Sequence, residues 1–342
     1  MMERKKTKAC ADQRLISGHE VPMLALVVVL IGVFLPLEMA MPFDMAQELA
    51  VQIKYDEDFA RGKMLPLAAA AYSDNPQLCL TNLGKSLELK RLTSVICDIT
   101  IIDKCTAFSA VSNDDKAIIL SFRGTDRNTQ LVVESDETMH KNHTPWVAGG
   151  VVSKYFNDGF MRIWKYGLKD DLAALQSQHA GYELWVEITT KITLPEDDCK
   201  SFLLQITGHS LGGAMASLAA SYIAHNKLFP ASKIKLVTFG QPRTGDKDYA
   251  AVVDKEVPYA FRITHAHDEV PHLPLENMEG YYHHKTEAFY NKGMGAGAHY
   301  YVCYDMGEST FCSDGNLLDT STKDHLHYFE KDVSDYGIKG CK

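Results

Sequence analysis

The sequence predicts an α/β fold in which a central, mostly parallel sheet is flanked by helices and carries its chemistry beyond the carboxyl ends of its strands. Two observations carry that reading. A strand-like apolar run, Lys200–Ile206, passes through Thr207-Gly208-His209-Ser210-Leu211-Gly212-Gly213 and continues directly into Ala214–Ala224, a stretch of strong helix formers. Further apolar runs of strand length, Ala117–Phe122, Ile234–Phe239 and Ala260–Thr264, recur on either side of it. The 342 residues, 46% of them hydrophobic, suffice for one large domain, and the strand–turn–helix unit favours that over two small ones.

In chain order, the first forty residues follow different rules from the rest. Arg4, Lys5, Lys6, Lys8 and Arg14 precede an uncharged apolar run, Val21–Leu37. That run falls short of the roughly 20 residues a spanning helix needs, and Pro36 interrupts its end. Residues 1–40 therefore read as a signal peptide, the alternative being a signal anchor spanning 21–37. Met23 stands directly before Leu-Ala-Leu-Val-Val-Val, which makes it a candidate for the true start. Residues 41–342 are the single expected domain. Within it Ala117–Phe122 reads as a buried strand and the region 150–190 as one or two amphipathic helices. Residues 201–207 and 211–226 supply the strand and helix of the turn, and 234–239 and 260–264 two more strands. In such a sheet the loops starting at Gly124, Gly208, Gly240 and His265 converge at one end.

The turn itself is the most telling segment. Gly-x-Ser-x-Gly alone arises by chance in on the order of one chain of this length in ten, with Gly at roughly 7% of residues. Here it sits between a strand and a helix, with Gly212, Gly213, Ala214 and Ala216 crowded on the first helical turns, where small residues allow close packing on a sheet. That context is a nucleophile elbow, with Ser210 held clear of the backbone on a sharp turn. A serine hydroxyl needs an imidazole to take its proton and a carboxylate to hold that imidazole in the right tautomer. In chain order Ser, acid, His, the acid belongs after a strand end, where Asp268 stands, with Glu269 beside it. The base comes later, from among His272, His283, His284, His299, His325 and His327, and residue type alone does not separate the six.

Four ordered segments resolve the choice by resemblance: Gly208-His209-Ser210-Leu211-Gly212-Gly213; Thr238-Phe239-Gly240-Gln241-Pro242-Arg243-Thr244-Gly245-Asp246; Asp268-Glu269-Val270-Pro271-His272-Leu273-Pro274; and Asp324-His325-Leu326-His327-Tyr328-Phe329. Together they resemble the class 3, fungal-type triacylglycerol lipase family of the α/β-hydrolase superfamily, over residues from about Ala69 to Cys341. The resemblance implies Ser210 as nucleophile, Asp268 as acid and His325 as base, with His283 and His284 in a structural segment. It implies an oxyanion hole from the backbone N–H of Leu211 and from Thr125 in Phe122-Arg123-Gly124-Thr125, with Arg123 structural. A short lid would follow at about 126–134, where Leu131, Val132 and Val133 are its apolar residues and the usual aromatic residue is missing. No metal or cofactor is implied. The expected function is a secreted, monomeric serine lipase that cleaves carboxylic esters of lipids; the alternatives are a carboxylesterase or phospholipase A1 acting on other esters, and a catalytically silent lipid-binding protein.

Charge and cysteine usage fit an exported protein. The formal net charge is −9, and taking five Lys/Arg and four Asp/Glu of residues 1–40 from the totals of 35 and 44 leaves 30 and 40, a net −10. With no basic cluster beyond the leader, nucleic acid is excluded as a partner. Seven cysteines follow the leader. Close spacing predicts the bridges Cys97–Cys105 and Cys303–Cys312, Cys79–Cys341 would tie the ends of the domain, and Cys199 remains as a buried thiol. Asn142-His143-Thr144 is a glycosylation sequon, so Asn142 is expected in a surface loop.

Overall fold

Strands that are apolar on both faces need cover on both faces, and Ala117–Phe122 and Leu203–His209, almost wholly buried, sit side by side at the parallel centre of a sheet. The computed structural model describes residues 53–98, 103–125, 142–179, 202–274, 280–316 and 320–342. The leader, the lid residues 131–133 and Cys199 lie outside the described residues. In chain order the strands of the main sheet are β1 (Leu87–Asp98), β2 (Asp103–Ser112), β3 (Ala117–Phe122), β4 (Leu203–His209), β5 (Ile234–Phe239), β6 (Tyr259–His265), β7 (Glu287–Tyr290) and β8 (Tyr301–Cys303). Their order across the sheet is their order in the chain. β1, β2 and β3 pair antiparallel, β3 through β7 run parallel, and β8 returns antiparallel to β7. A smaller sheet pairs 281–282, 245–246, 151–153 and 143–145 in that order.

Alternation along the strands divides the core into two layers. Ile118, Leu120, Phe122, Leu204, Ile206 and Leu236 face one cluster, and Ile119, Val237, Phe239, Phe261, Ile263 and Ala288 the other. The second layer is covered by α1 (Leu65–Ala70) and α2 (Pro76–Leu83). The first takes α3 (Lys154–Ile163), α4 (Lys169–His179), α5 (Leu211–His225) and α6 (Lys247–Glu256). Two short helices complete the chain, α7 (Thr322–Leu326) and α8 (Val333–Ile338), the latter contributing Val333 to the second layer. Residues 52–342 make one compact unit.

β3 and β5 coincide with the expected strands, and the region 150–190 yields α3 and α4, joined through a π-turn at Trp164–Leu168. The strand before Ser210 begins two residues later than expected and runs up to His209. β1, β2, β7 and β8 were not expected. β1 reads Leu-Glu-Leu-Lys-Arg-Leu-Thr-Ser, an antiparallel edge with one wet face, whose charged residues hide its strand character.

The register places one row across the sheet: Phe122, Gly208, Thr238, Arg262 and Glu287 are successive partners. The chain leaves β3, β4 and β5 just past that row, so Gly124, Ser210 and Gly240 emerge at the same end. Three disulfides close the framework, with Cα separations of 4.8 Å for Cys79–Cys341, 5.5 Å for Cys97–Cys105 and 6.4 Å for Cys303–Cys312. The first joins α2 to the residue after Gly340, across a loop of 262 residues. Substituting Cys79→Ser should lower stability by about 2–5 kcal/mol, read as a fall in melting temperature; an unchanged melt would mean that this bridge does not hold the fold.

Candidate active site

Ser210 follows the last residue of β4 and precedes α5 with φ 59° and ψ −133°, a region costly for any residue with a Cβ, on the order of 1–3 kcal/mol. The surroundings hold it there. Its N–H donates to the Phe239 carbonyl at 2.9 Å, and its carbonyl accepts from the Gly213 N–H at 2.8 Å. The glycines flanking it answer to contact rather than to turn geometry: a Cβ on Gly208 would run into the backbone of Gly212, and one on Gly212 into the Phe122 carbonyl. Strand and helix therefore meet backbone to backbone, and the helix start, with the N–H of Leu211 unbonded within the helix, lies at the serine.

A buried carboxylate faces a buried imidazole beside this turn. His325 Nδ1 lies 2.9 Å from Asp268 Oδ1 and 3.0 Å from Oδ2. The Tyr328 hydroxyl donates to Oδ2 at 2.5 Å and the Val270 N–H to Oδ1 at 2.9 Å. Burial alone would raise the Asp268 carboxyl, but the neighbouring His325 charge and the three hydrogen bonds hold it below its ordinary value. An ionised carboxylate only accepts, so the proton of the ring sits on Nδ1 and Nε2 is left as the acceptor. Helix α7 is tied to the acid's loop by the Ser321 N–H donating to the His267 carbonyl at 2.7 Å and the His267 N–H to Asp324 Oδ2 at 3.2 Å.

Two residues not anticipated as functional complete the frame. Gly240, at φ +55°, has its missing side chain pointing at the pair: a Cβ there would lie 2.8 Å from Asp268 Oδ2 and 2.9 Å from His325 Nδ1. His209, the variable residue of the elbow, stacks on His325 with ring centroids 4.6 Å apart. Burial first, then the proximity of His325, lowers its pKa to about 3, so it is neutral. Its Nε2 donates to the His325 carbonyl at 2.8 Å, and its Nδ1 accepts from the Tyr72 hydroxyl, also at 2.8 Å. Gly240 lies within one motif already visible in the sequence and Tyr328 within another, whereas Tyr72 belongs to no segment that the sequence marks.

The remaining candidates separate cleanly. The loop holding Gly124 packs on the elbow, since a Cβ on Gly124 would lie 3.1 Å from Ser210 Cβ, and Thr125 follows it half-buried. Arg123 Nη2 donates to the Lys104 carbonyl, a contact within the sheet. Glu269 turns away to accept from the Thr322 hydroxyl at 2.7 Å. His272 faces Asp314, and His327 Nδ1 pairs with the Lys323 carbonyl. His283 Nε2 donates to the Pro271 carbonyl, and His284 Nδ1 to the Lys285 carbonyl. Among the six histidines, His325 is the one brought to Asp268. Asn142 is exposed, with its carbonyl accepting from the Lys154 N–H.

The sequence profile of the family described as lipase (class 3) matches residues 119–187 and 190–278. Lipase ZK262.3 of Caenorhabditis elegans is 34% identical over 319 residues, covering 84% of this chain and 83% of that protein. A secreted mono- and diacylglycerol lipase of Fusarium solani is 31% identical over 189 residues, covering 54% of each chain, so the match spans about half of that relative. Among solved structures, the triacylglyceride lipase of Rhizomucor miehei superposes with a TM-score of 0.65 at 22% identity, over 82% of this chain and 97% of that one. The Lip2 lipase of Yarrowia lipolytica gives 0.63 at 22%, over 82% and 96%. These likenesses establish the α/β-hydrolase fold.

Three buried rings make stability depend on pH. His209 and His284 are lowered to about 3, and His283 well below its ordinary value, burial being the main cause and the Arg262 charge adding to it for the last two. These rings gain a proton only on unfolding, so their contribution is full above the unfolded value of about 6.5 and shrinks as pH falls toward 3. Asp268 adds to the loss below its unfolded value of 3.8. Stability should hold above about pH 6.5 and fall on acidification by up to about 1.4 kcal/mol per pH unit per ring, read as a falling melting temperature. A flat melting profile from pH 6.5 to 4 would contradict the neutral burial of these rings.

Proposed function

This chain belongs to the class 3 lipase family, and we infer that its Ser210, His325 and Asp268 carry out ester hydrolysis through an acyl-serine intermediate. It is a serine carboxylic ester hydrolase acting on lipid esters. The observation that carries the residue assignment is the buried Asp268–His325 pair beside a serine held at positive φ on an elbow. With its Nδ1 proton kept by Asp268, His325 takes the Ser210 proton at Nε2 as the hydroxyl oxygen attacks the ester carbonyl. The same nitrogen returns the proton to the departing alcohol. Water then repeats the sequence on the acyl-enzyme, with His325 again as base.

Charge that develops on the carbonyl oxygen is met by the N–H of Leu211 at the start of α5 and by the N–H and hydroxyl of Thr125, each donor being worth about 10²–10³ in turnover. Positions 126–134 are proposed as the lid, of which Leu131, Val132 and Val133 are the apolar residues. The enzyme acts as a monomer outside the cell, after removal of residues 1–40. A Fusarium relative described as secreted, the three disulfides and the leader's composition all support that address. Among the described residues no helix is long and apolar enough to cross a membrane.

Hydrolysis of p-nitrophenyl esters from C2 to C16 should rise with acyl length in the parent and vanish in Ser210→Ala, with folding intact. A preference for C2–C4 would make the protein a short-chain esterase, and loss of neither rate nor length dependence in the variant would overturn the mechanism. Asp268→Asn should cost orders of magnitude in kcat, because an amide presents N–H to Nδ1 and favours the wrong tautomer. Protein collected from the medium should begin near residue 41 and lose mass with an N-glycosidase, a change absent from Asn142→Gln. An N-terminus before Met23, or equal mass in both, would contradict the processing or the glycan.

A further inference from the structure

The chain beyond Asp268 is held with unusual completeness. Four successive carbonyls, those of Pro271, His272, Leu273 and Pro274, each accept a hydrogen bond from outside the loop. Arg243 supplies three: Nη1 donates to His272 and Pro274, both at 2.6 Å, and the backbone N–H donates to Leu273 at 2.8 Å. His283 Nε2 supplies the fourth, to Pro271 at 2.7 Å. On its other edge the Arg243 guanidinium grips Glu308 with two prongs, Nε to Oε1 at 2.8 Å and Nη2 to Oε2 at 2.6 Å, with Asp314 Oδ1 at 3.5 Å. Both side chains are buried, at 3% and 7% exposure.

Glu308 is itself fixed. It lies inside the loop closed by Cys303–Cys312, its Oε1 also accepts from the His283 N–H at 2.8 Å, and Arg262 Nη2 donates to the neighbouring Gly307 carbonyl at 2.8 Å. None of Glu308, Asp314 or the disulfide falls within the stretch matched by the family profile, which ends at residue 278.

Burying an ion pair is a poor route to stability, since the cost of removing both charges from water cancels most of their attraction. What a planar, two-edged cation does supply is direction: one edge locks onto a carboxylate and the other spans two carbonyls, which a point charge on a lysine stem cannot do. We propose that Arg243 and Glu308 are positioning residues for hydrolysis, holding loop 270–274 so that the Asp268 carboxylate stays in register with His325 Nδ1. Neither touches the reacting atoms. The link is short: Val270, whose N–H donates to Asp268 Oδ1, is the residue before the first clamped carbonyl. This proposal rests on the assignment of Ser210, His325 and Asp268 made above.

The test compares the parent with Arg243→Lys and Glu308→Gln on p-nitrophenyl butyrate, a soluble ester, with the folded fraction of each set by near-ultraviolet circular dichroism. Arg243→Lys should lower kcat about 10–100-fold while KM stays within about twofold, the scale expected when a reacting group drifts by around an ångström. Glu308→Gln should show a smaller fall of the same kind. The far-downfield proton resonance of the His325 Nδ1–H against Asp268 should shift or broaden in both variants, which a loss of fold stability alone would not produce. If Arg243→Lys does not fold, Glu308→Gln carries the test. Folded variants with kcat within twofold of the parent and an unmoved resonance would overturn the clamp. A parent lacking Ser210-dependent activity would instead defeat the underlying assignment, so the two failures are distinguishable.

Discussion

A carboxylate withdrawn from water must be surrounded by donors or it will take up a proton, and the Asp268 carboxylate organises the architecture around itself for that reason. Its three donors come from three places: the ring of His325 on α7, the hydroxyl of Tyr328 just after it, and the backbone of its own loop at Val270. Satisfying this one group therefore brings the C-terminal segment onto the ends of β5 and β6. Gly240 is the complement of that requirement, a residue without a side chain where any side chain would push acid and base apart. Burial and the adjacent carboxylate push the Tyr328 hydroxyl well above its ordinary value, so it stays protonated as a donor to Asp268.

The sheet answers two different demands along its width. Around β3, β4 and β5 its faces carry Ile, Leu, Val and Phe, and helices cover them by apolar contact. Toward β7 one face becomes polar, with Arg262 against Glu287 and Thr264 donating to Glu287 at 2.5 Å, and the polar network begins at the end of β5, where Gln241 bridges Thr238 and Thr244. Close packing fixes both halves, but hydrogen bonds add preferred directions, and the directional half of the core is the half that carries the acid.

Much of this was legible in the sequence where a constraint acts over a few neighbouring residues. The elbow needs Gly at two positions around Ser210, and buried parallel strands must read as unbroken apolar runs, which is why β3 and β5 matched to the residue. The acid's position after a strand end was legible for the same local reason. The base was not: six histidines satisfied the chain order, and only resemblance to a known family pointed to His325. The edge strand β1 was lost because it carries Lys90 and Arg91 on a half-wet surface, and β7 and β8 because they span only four and three residues. Tyr72 and His209 were invisible as a pair, since their partnership exists only once residues 137 apart are folded together.

The stacked pair His209 and His325 has a further consequence, for where charge can travel. When His325 holds a second proton its positive ring has an anion at one edge and a neutral imidazole against its face. That neighbour is no sink: one nitrogen already donates to a carbonyl, the other already accepts from Tyr72, and burial opposes any charge upon it. The imidazolium is thus insulated on its flank and anchored behind. Its transient proton has a single outlet, Nε2, and the direction of discharge is built into the ring stack before any substrate arrives.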